Sequence, residues 1–318
     1  MKISVVIPVH NGDRFLPEAI ESVLGQSHQD FEILLVDDGS TDGSQGIMKR
    51  YARLDRRVRF VTQENRGRCE AANRCLEEAR YDWVARLDAD DVFLPTKIER
   101  QLQYLAEHPE GRVIGTFGYF INEEGKRLGF IGTTGPFVDA GGFRKHAENG
   151  VPIRFIHSSV MMHRRTVLDA GGYRSEFLQV EDMDLWNRLA ERGHLLLTVP
   201  EPLVLYRIHG RSVSVEKKKE QELYDAWALE RMRRRRQGGD EPSLADFMEE
   251  QERRPWHEKA GARRKYTGEA LYQKAALYYA EGDFIGMSFM LAAAAAVHPV
   301  HVFRRIYERK VYPLLKGF

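Results

Sequence analysis

From Met1 to about Leu105, short apolar runs alternate with stretches whose apolar residues recur at helical spacing. Ile3–Val9 is rich in β-branched residues and predicts a buried strand. Phe15, Leu16, Ala19, Ile20, Val23 and Leu24 then share a helix face, with Gly25 as its stop. Residues 31–36 predict a second strand, Ile47, Met48, Tyr51 and Leu54 a helix, and residues 58–61 a third strand. Ala71, Ala72, Cys75, Leu76 and Ala79 give another helix, and residues 83–87 a fourth strand. This alternation implies an α/β fold with a mostly parallel sheet flanked by helices. Ligands of such sheets lie beyond the carboxyl ends of the strands.

Residues 111–215 are less regular. Residues 113–120 and the turn Glu123-Glu124-Gly125-Lys126 predict a hairpin, and the glycine-rich stretch 129–150 a long loop. Residues 158–163 predict a strand, and Glu181 opens a helix that carries Leu185, Trp186 and Leu189 and stops at Gly193. Residues 195–199 and 203–208 read as two extended segments. From about Glu216 the sequence becomes charge-rich and helix-forming, ending in a helical hairpin about Gly282-Asp283. The expected organisation is therefore residues 1–110 and 111–215 as two halves of one domain, and 216–318 as a helical C-terminal extension.

Composition narrows the function classes. The 318 residues are 42% apolar and 30% charged with a net charge of +1, which argues against a bulk nucleic-acid binder. Cys69 and Cys75, six apart in one predicted helix with no flanking His/Cys cluster, read as buried thiols in a reducing cytoplasm. The largely apolar run of seven residues after Met1-Lys2, with no cleavage site, makes a poor signal peptide. The uncharged run Phe284–Val297 is too short to span hydrocarbon and reads as a packed helix.

Candidate chemistry gathers at the strand ends. Pro8-Val9-His10-Asn11-Gly12, Asp37-Asp38-Gly39-Ser40 and Asp88-Ala89-Asp90-Asp91 should emerge on one edge of the sheet. On extended backbone the Asp88 and Asp90 carboxylates would point to the same side, and oxygen ligands suit Mg²⁺ or Mn²⁺ with substrate phosphates. An acidic surface turn fits the same triplet. Asp37-Asp38 also suits a dinucleotide fold, but His10-Asn11-Gly12-Asp13 lacks the glycine fingerprint, and no Walker-type loop occurs. Ser40-Thr41-Asp42 serves equally to cap the next helix. Glu181-Asp182 offers either helix-dipole complementation, worth about 1 kcal/mol or less, or a general base. A helix N-terminus would favour the ionised carboxylate at neutral pH.

These motifs, with Gln26-Ser27-His28-Gln29-Asp30-Phe31-Glu32-Ile33, resemble family-2 inverting glycosyltransferases over roughly residues 3–210. The resemblance implies the GT-A fold and sugar transfer from a nucleotide-sugar, UDP-linked by default, to an acceptor hydroxyl. It places Pro8, His10 and Asn11 beside the nucleotide, although His10 stands where these enzymes commonly carry Tyr. It makes Asp38 a partner of the base, Asp88 a ribose contact and Asp90 the metal ligand, with Ala89 between them. Asn65-Arg66-Gly67 matches the family's segment near the nucleotide, which draws in Gly67 and Arg68. Asp182 takes the position of the catalytic base, and His209, after Tyr206-Arg207-Ile208, that of a metal or diphosphate contact.

The same resemblance implies a glycan or lipid-linked acceptor in bacterial cell-surface polysaccharide or glycoconjugate synthesis, and a cytoplasmic enzyme working at the inner membrane face. Arg231, Arg233, Arg234, Arg235 and Arg236 read either as a solvated face or as a contact for anionic lipid headgroups. No nucleic-acid motif accompanies them. The rival reading is a non-catalytic nucleotide-sugar-binding or membrane-associated scaffold, which would not need Asp182. Fold by itself does not decide between the two.

Overall fold

The computed structural model describes residues 1–132, 137–209, 218–280 and 282–306. The chain divides into two compact units, residues 1–119 with 131–206, and residues 120–130 with 207–318. The first unit opens with β1 (Ile3–Val9), α1 (Leu16–Leu24), β2 (Phe31–Asp38), α2 (Ser44–Leu54), β3 (Val58–Gln63), α3 (Arg68–Glu78) and β4 (Trp83–Arg86). It continues through β5 (Val92–Phe93), α4 (Lys97–Glu107), β6 (Gly111–Ile121), β7 (Arg127–Ile131), α5 (Ala140–Glu148), β8 (Met161–His163), α6 (Arg164–Asp169), α7 (Glu181–Glu191) and β9 (Leu195–Arg207). The tip of the β6–β7 hairpin falls in the second unit.

The sheet order is β3-β2-β1-β4-β8-β6-β9-β5, with β7 beside β6. β1 pairs in parallel with both β2 and β4, and β2 with β3. Beyond β4 the recorded pairings turn antiparallel, β4 with β8, β8 with β6 and β5 with β9. The sheet is thus parallel among β1 to β4 and mixed as a whole. β1 and β2 are buried almost throughout because helices cover both faces. α1 contributes Leu16, Ala19, Ile20 and Val23 from a single stripe. Cys69 and Cys75 are buried in α3, and burial pushes both thiols up to about 12, so they are inert packing residues.

Three local readings need correction. The stretch 129–150 is not one long loop. It holds the end of β7 and then α5, which Asp139 caps by accepting the Gly142 N–H at 2.7 Å. Residues 195–208 form one strand rather than two segments. Pro200 and Pro202 are two apart, so their missing donors face the same edge and β9 runs on through them. The predicted strand 158–163 opens as a 3₁₀ turn, His157–Ser159, before β8.

The second unit holds α8 (Lys218–Arg236), α9 (Leu244–Arg253), α10 (Trp256–Ala280), α11 (Phe284–Val297) and α12 (Pro299–Ile306). α9 begins with a full capping box between Ser243 and Asp246. Trp227 is buried in α8 and donates its indole N–H to the Pro242 carbonyl at 2.9 Å. Among the described residues no helix is long and apolar enough to cross a membrane.

Candidate active site

The loops after β1 and β2 are laced together. Asn11 takes a left-handed conformation (φ 52°), which Asn tolerates better than most residues. This turns its N–H to Ser40 Oγ at 3.0 Å and its Oδ1 to the Thr41 N–H at 2.8 Å. Gly12 donates to Ser44 Oγ at 3.0 Å. A Cβ on Gly12 would lie 3.3 Å from the Ala89 Cβ, so the β1 loop rests directly against the Asp88-Ala89-Asp90 segment. Pro8 lies within β1, in register with Val36. The predicted convergence of the three strand ends is present.

β2 runs two residues further than expected and ends on Asp38, which is buried. Its Oδ1 accepts from Gln63 Nε2 and from the Arg66 N–H, both at 2.8 Å, and its Oδ2 from the Gly67 N–H at 2.9 Å. In this structure Asp38 therefore holds the Asn65-Arg66-Gly67 segment. Gly39 (φ 68°) lies under the same segment, where a Cβ would fall 2.7 Å from the Asn65 nitrogen. His10 Nδ1 is 2.9 Å from the Asp38 carbonyl. A carbonyl only accepts, so Nδ1 carries the proton and Nε2 faces the Asn11 and Asn65 amides, each at 3.3 Å.

Arg68, the first residue of α3, reaches away from this loop. It donates to the Leu178 carbonyl and to Gln179 Oε1 (2.7 Å), and pairs with Glu181 at 3.3 Å. It thereby ties the start of α3 to the start of α7.

The Asp88-Ala89-Asp90 segment is a turn, closed by the Asp91 N–H on the Asp88 carbonyl at 3.1 Å. The extended geometry expected from the spacing does not occur, and the two carboxylates are set by the turn instead. Asp88 accepts from Arg86 Nε and Nη2 at 3.1 and 2.9 Å. Burial alone would raise its pKa, but the Arg86 guanidinium outweighs it and holds the carboxyl below the usual range. Ser158 fixes the turn from behind, receiving the Asp88 N–H at 3.0 Å and donating to buried Asp91. Asp90 is half-buried in the turn. His209 follows β9 in the second unit, whereas Asp90 belongs to the first. Among the described residues no three His, Cys, Asp or Glu side chains cluster as a self-sufficient metal site. One carboxylate beside a diphosphate does fit a hard divalent cation, because Mg²⁺-type ions commonly use one or two carboxylates and fill the rest with phosphate and water.

At the start of α7, Glu181 is buried and Asp182 half-buried, with Asp182 Oδ1 accepting its neighbour's Met183 N–H at 2.7 Å. The helix N-terminus alone would favour the ionised form of Asp182. Burial instead raises its pKa, against the pull of the Met183 N–H and of Arg154, Arg68 and Arg86. Burial also pushes Glu181 up to about 7, and the Asp182 charge adds to this while Arg68 opposes it. α7 is anchored by Asp184, which is buried and accepts from Arg174 (Nε at 3.0 Å) and Arg188 (Nε at 2.8 Å). Arg188 in turn donates to the carbonyls of Ala170 and Gly172, the latter at 2.6 Å.

Three residues beside the site went unnoticed in the sequence. Arg86 is a cation inside an apolar strand, which is itself a signal, since a buried charge requires a partner. His157 sits 3.0 Å from the Tyr173 hydroxyl, and burial and then Arg86 hold it well below the ordinary histidine range, hence neutral. Tyr173 lies under the Arg86 guanidinium, 5.6 Å from ring centroid to Cζ. A single His or Tyr in irregular sequence carries no comparable signal.

The arginine cluster of α8 is internally compensated. Arg233 and Arg234 bond Glu230 and hold it down to about 2, Arg234 also binds Glu250, and Arg231 and Arg235 pair with Glu241. Four of the five arginines are thus paired with carboxylates of the same unit.

The model of the family described as "Glycosyl transferase family 2" matches residues 4–172, more than half of the chain. The chain belongs to glycosyl transferase family 2. This glycosyltransferase is 30% identical over 217 residues to the O-antigen biosynthesis glycosyltransferase WbnJ of Escherichia coli, covering 66% of its own length and 81% of WbnJ. Its fold matches S. aureus TarS 1-349, solved in complex with UDP, with a TM-score of 0.53, 15% identity and coverage of 93% and 91% of the two chains. It likewise matches the mannosyltransferase PcManGT of Pyrobaculum calidifontis, solved with GDP-Man and Mn²⁺ (TM-score 0.53, 16% identity, 96% and 78% covered). The expected GT-A architecture is thereby established for this family-2 glycosyltransferase.

Proposed function

We propose that this glycosyltransferase performs inverting transfer of a sugar from a nucleotide-sugar, UDP-linked, to an acceptor hydroxyl in bacterial surface-polysaccharide synthesis. The observation that carries the reading is the Arg68 bridge. It holds the α7 start, with Glu181-Asp182, against the same α3 start whose preceding segment Asp38 secures. A candidate base is thus fixed relative to the donor-side loops. Similarity to WbnJ supports the polysaccharide setting, and the complexes of TarS and PcManGT support a nucleotide-linked donor.

In this reading Pro8, His10, Asn11, Asp38 and Gly67 border the nucleotide, and the Asp88-Ala89-Asp90 turn faces its ribose and diphosphate. Asp88, held ionised by Arg86, accepts from the ribose hydroxyls. Asp90 would hold the divalent cation; when bound, the cation offsets charge on the leaving diphosphate. Asp182 takes the proton from the acceptor hydroxyl as that oxygen attacks the anomeric carbon from the face opposite the diphosphate. Its raised pKa makes it a stronger base than a solvent-exposed aspartate.

Two substitutions test the assignment. Asp90→Ala should abolish metal-dependent turnover, and Asp182→Asn should lose transfer at least 100-fold, within the range for a general base of ~10² or more, while still binding the nucleotide. Full transfer activity in Asp182→Asn would remove the proposed base.

A further inference from the structure

α11 packs one face against α10, as a packed helix should, but leaves its opposite face bare. It contains no charged residue, yet Ala294 is its one fully buried side chain. Ile285, Phe289, Ala292 and Ala296 recur at helical spacing and are all exposed, Ile285 at 86% and Phe289 at 69%. α12 extends the apolar surface with Val300 and Phe303, 73% and 71% exposed. A large exposed apolar stripe of this kind marks a surface that is covered in use.

Charge distinguishes the possible covers. The described residues 256–280 and 282–306 carry seven Lys and Arg against three Asp and Glu, a net +4 in a chain whose total is +1. Arg264 donates to the Val297 carbonyl at 2.6 Å, which places a cation at the junction of α11 and α12, and Arg263 beside it is exposed. A second copy would bring two positive surfaces together, whereas an anionic surface is complementary. Fourteen helical residues reach only about 21 Å, short of the ~30 Å hydrocarbon core, so α11 cannot cross a bilayer but can lie in its interface.

We propose that α10, α11 and α12 dock the protein onto an anionic lipid bilayer, with Ile285, Phe289 and Phe303 entering the headgroup–acyl boundary and Arg263 and Arg264 meeting lipid phosphates. This surface is distinct from the α8 arginines and does not rest on the reading of the crevice. The test is flotation of the full chain with vesicles of phosphatidylcholine alone or with 30% phosphatidylglycerol. The wild type should float with the anionic vesicles and release in high salt. Ile285→Ser with Phe289→Ser should lower partitioning at least tenfold. Arg263→Gln with Arg264→Gln should lower it several-fold on anionic vesicles alone. Circular dichroism and size-exclusion chromatography establish that each variant is folded. The proposal is overturned if the wild type binds neither vesicle or if the variants partition like the wild type. It is equally overturned by a wild-type dimer that the Ser variants dissolve with no vesicle binding to lose, since the cover is then a second copy.

Discussion

Asp184→Ala should unfasten α7. Asp184 is 4% exposed and receives hydrogen bonds from two guanidinium groups, of which Arg188 is itself 7% exposed. Arg174 is part-exposed and regains water when the carboxylate is lost. Arg188 retains its bonds to Ala170 and Gly172 but stays buried without this counter-charge. Removing one partner of such a buried pair costs about 3–5 kcal/mol, a large share of the ~5–15 kcal/mol that stabilises a typical fold. Urea denaturation of wild type and Asp184→Ala at pH 7.5 measures the loss, and the midpoint of thermal unfolding should fall by roughly 10 °C. Transfer should decline as well, because Asp182 lies half a turn from the broken anchor. A paired replacement, Asp184→Leu with Arg188→Met, should recover most of the stability, since apolar isosteres of a buried ion pair are often neutral. If Asp184→Ala unfolds within 1 kcal/mol of wild type, this network does not anchor α7.

The pH dependence of transfer should show an acid limb above the ordinary aspartate range, because Asp182 must lose its proton to act and burial raises its pKa; a limb near pH 4 would contradict the buried environment. Glu181 also links pH to stability. Its folded pKa of about 7 exceeds the ordinary 4.5, so its contribution is complete below 4.5 and is lost as pH rises through 7. Glu181→Gln should therefore flatten the stability curve between pH 5 and 8 in denaturant titrations, and parallel curves would refute the assignment. Gly39→Ala should weaken nucleotide binding by calorimetry and cost about 1–2 kcal/mol in strain alone, since it combines a left-handed φ with a Cβ 2.7 Å from the Asn65 nitrogen. Arg68→Ala should lower kcat more than it raises the donor KM, because Arg68 bonds the α7 start; a pure rise in KM would return it to the nucleotide.

The parallel half of the sheet was legible because its strands are continuous apolar runs broken by helical periodicity. The loops that meet above it were legible because each begins where such a run stops. β9 and α5 were hidden for opposite reasons. Pro200 and Pro202 read as a break, although their missing donors share one edge, and the glycines at 141 and 142 read as a loop although Asp139 caps a helix there. The turn at Asp88 required knowledge of Ser158, 70 residues away, and so lay beyond any spacing rule. The raised pKa of Asp182 was equally out of reach, since burial of α7's first turn depends on packing partners from α3 and the Gly171-Gly172-Tyr173 loop. Periodicity marked α11 as a helix but carried no information on the face that stays uncovered.

The order in which the sheet is assembled bears on how the protein is made. β3, β2, β1 and β4 all lie within the first 86 residues and can pair as soon as they leave the ribosome. β4's other neighbour, β8, is synthesised about 75 residues later, a delay of roughly 4–15 s at common elongation rates. Throughout that interval β4 is an open edge on a nascent sheet, rich in Trp83, Val84 and Ala85 and exposed to pairing with other chains. Arg86, at its end, puts a charge on that edge before Tyr173 packs over it. Slowing translation between residues 87 and 160 should therefore raise aggregation without altering the finished protein.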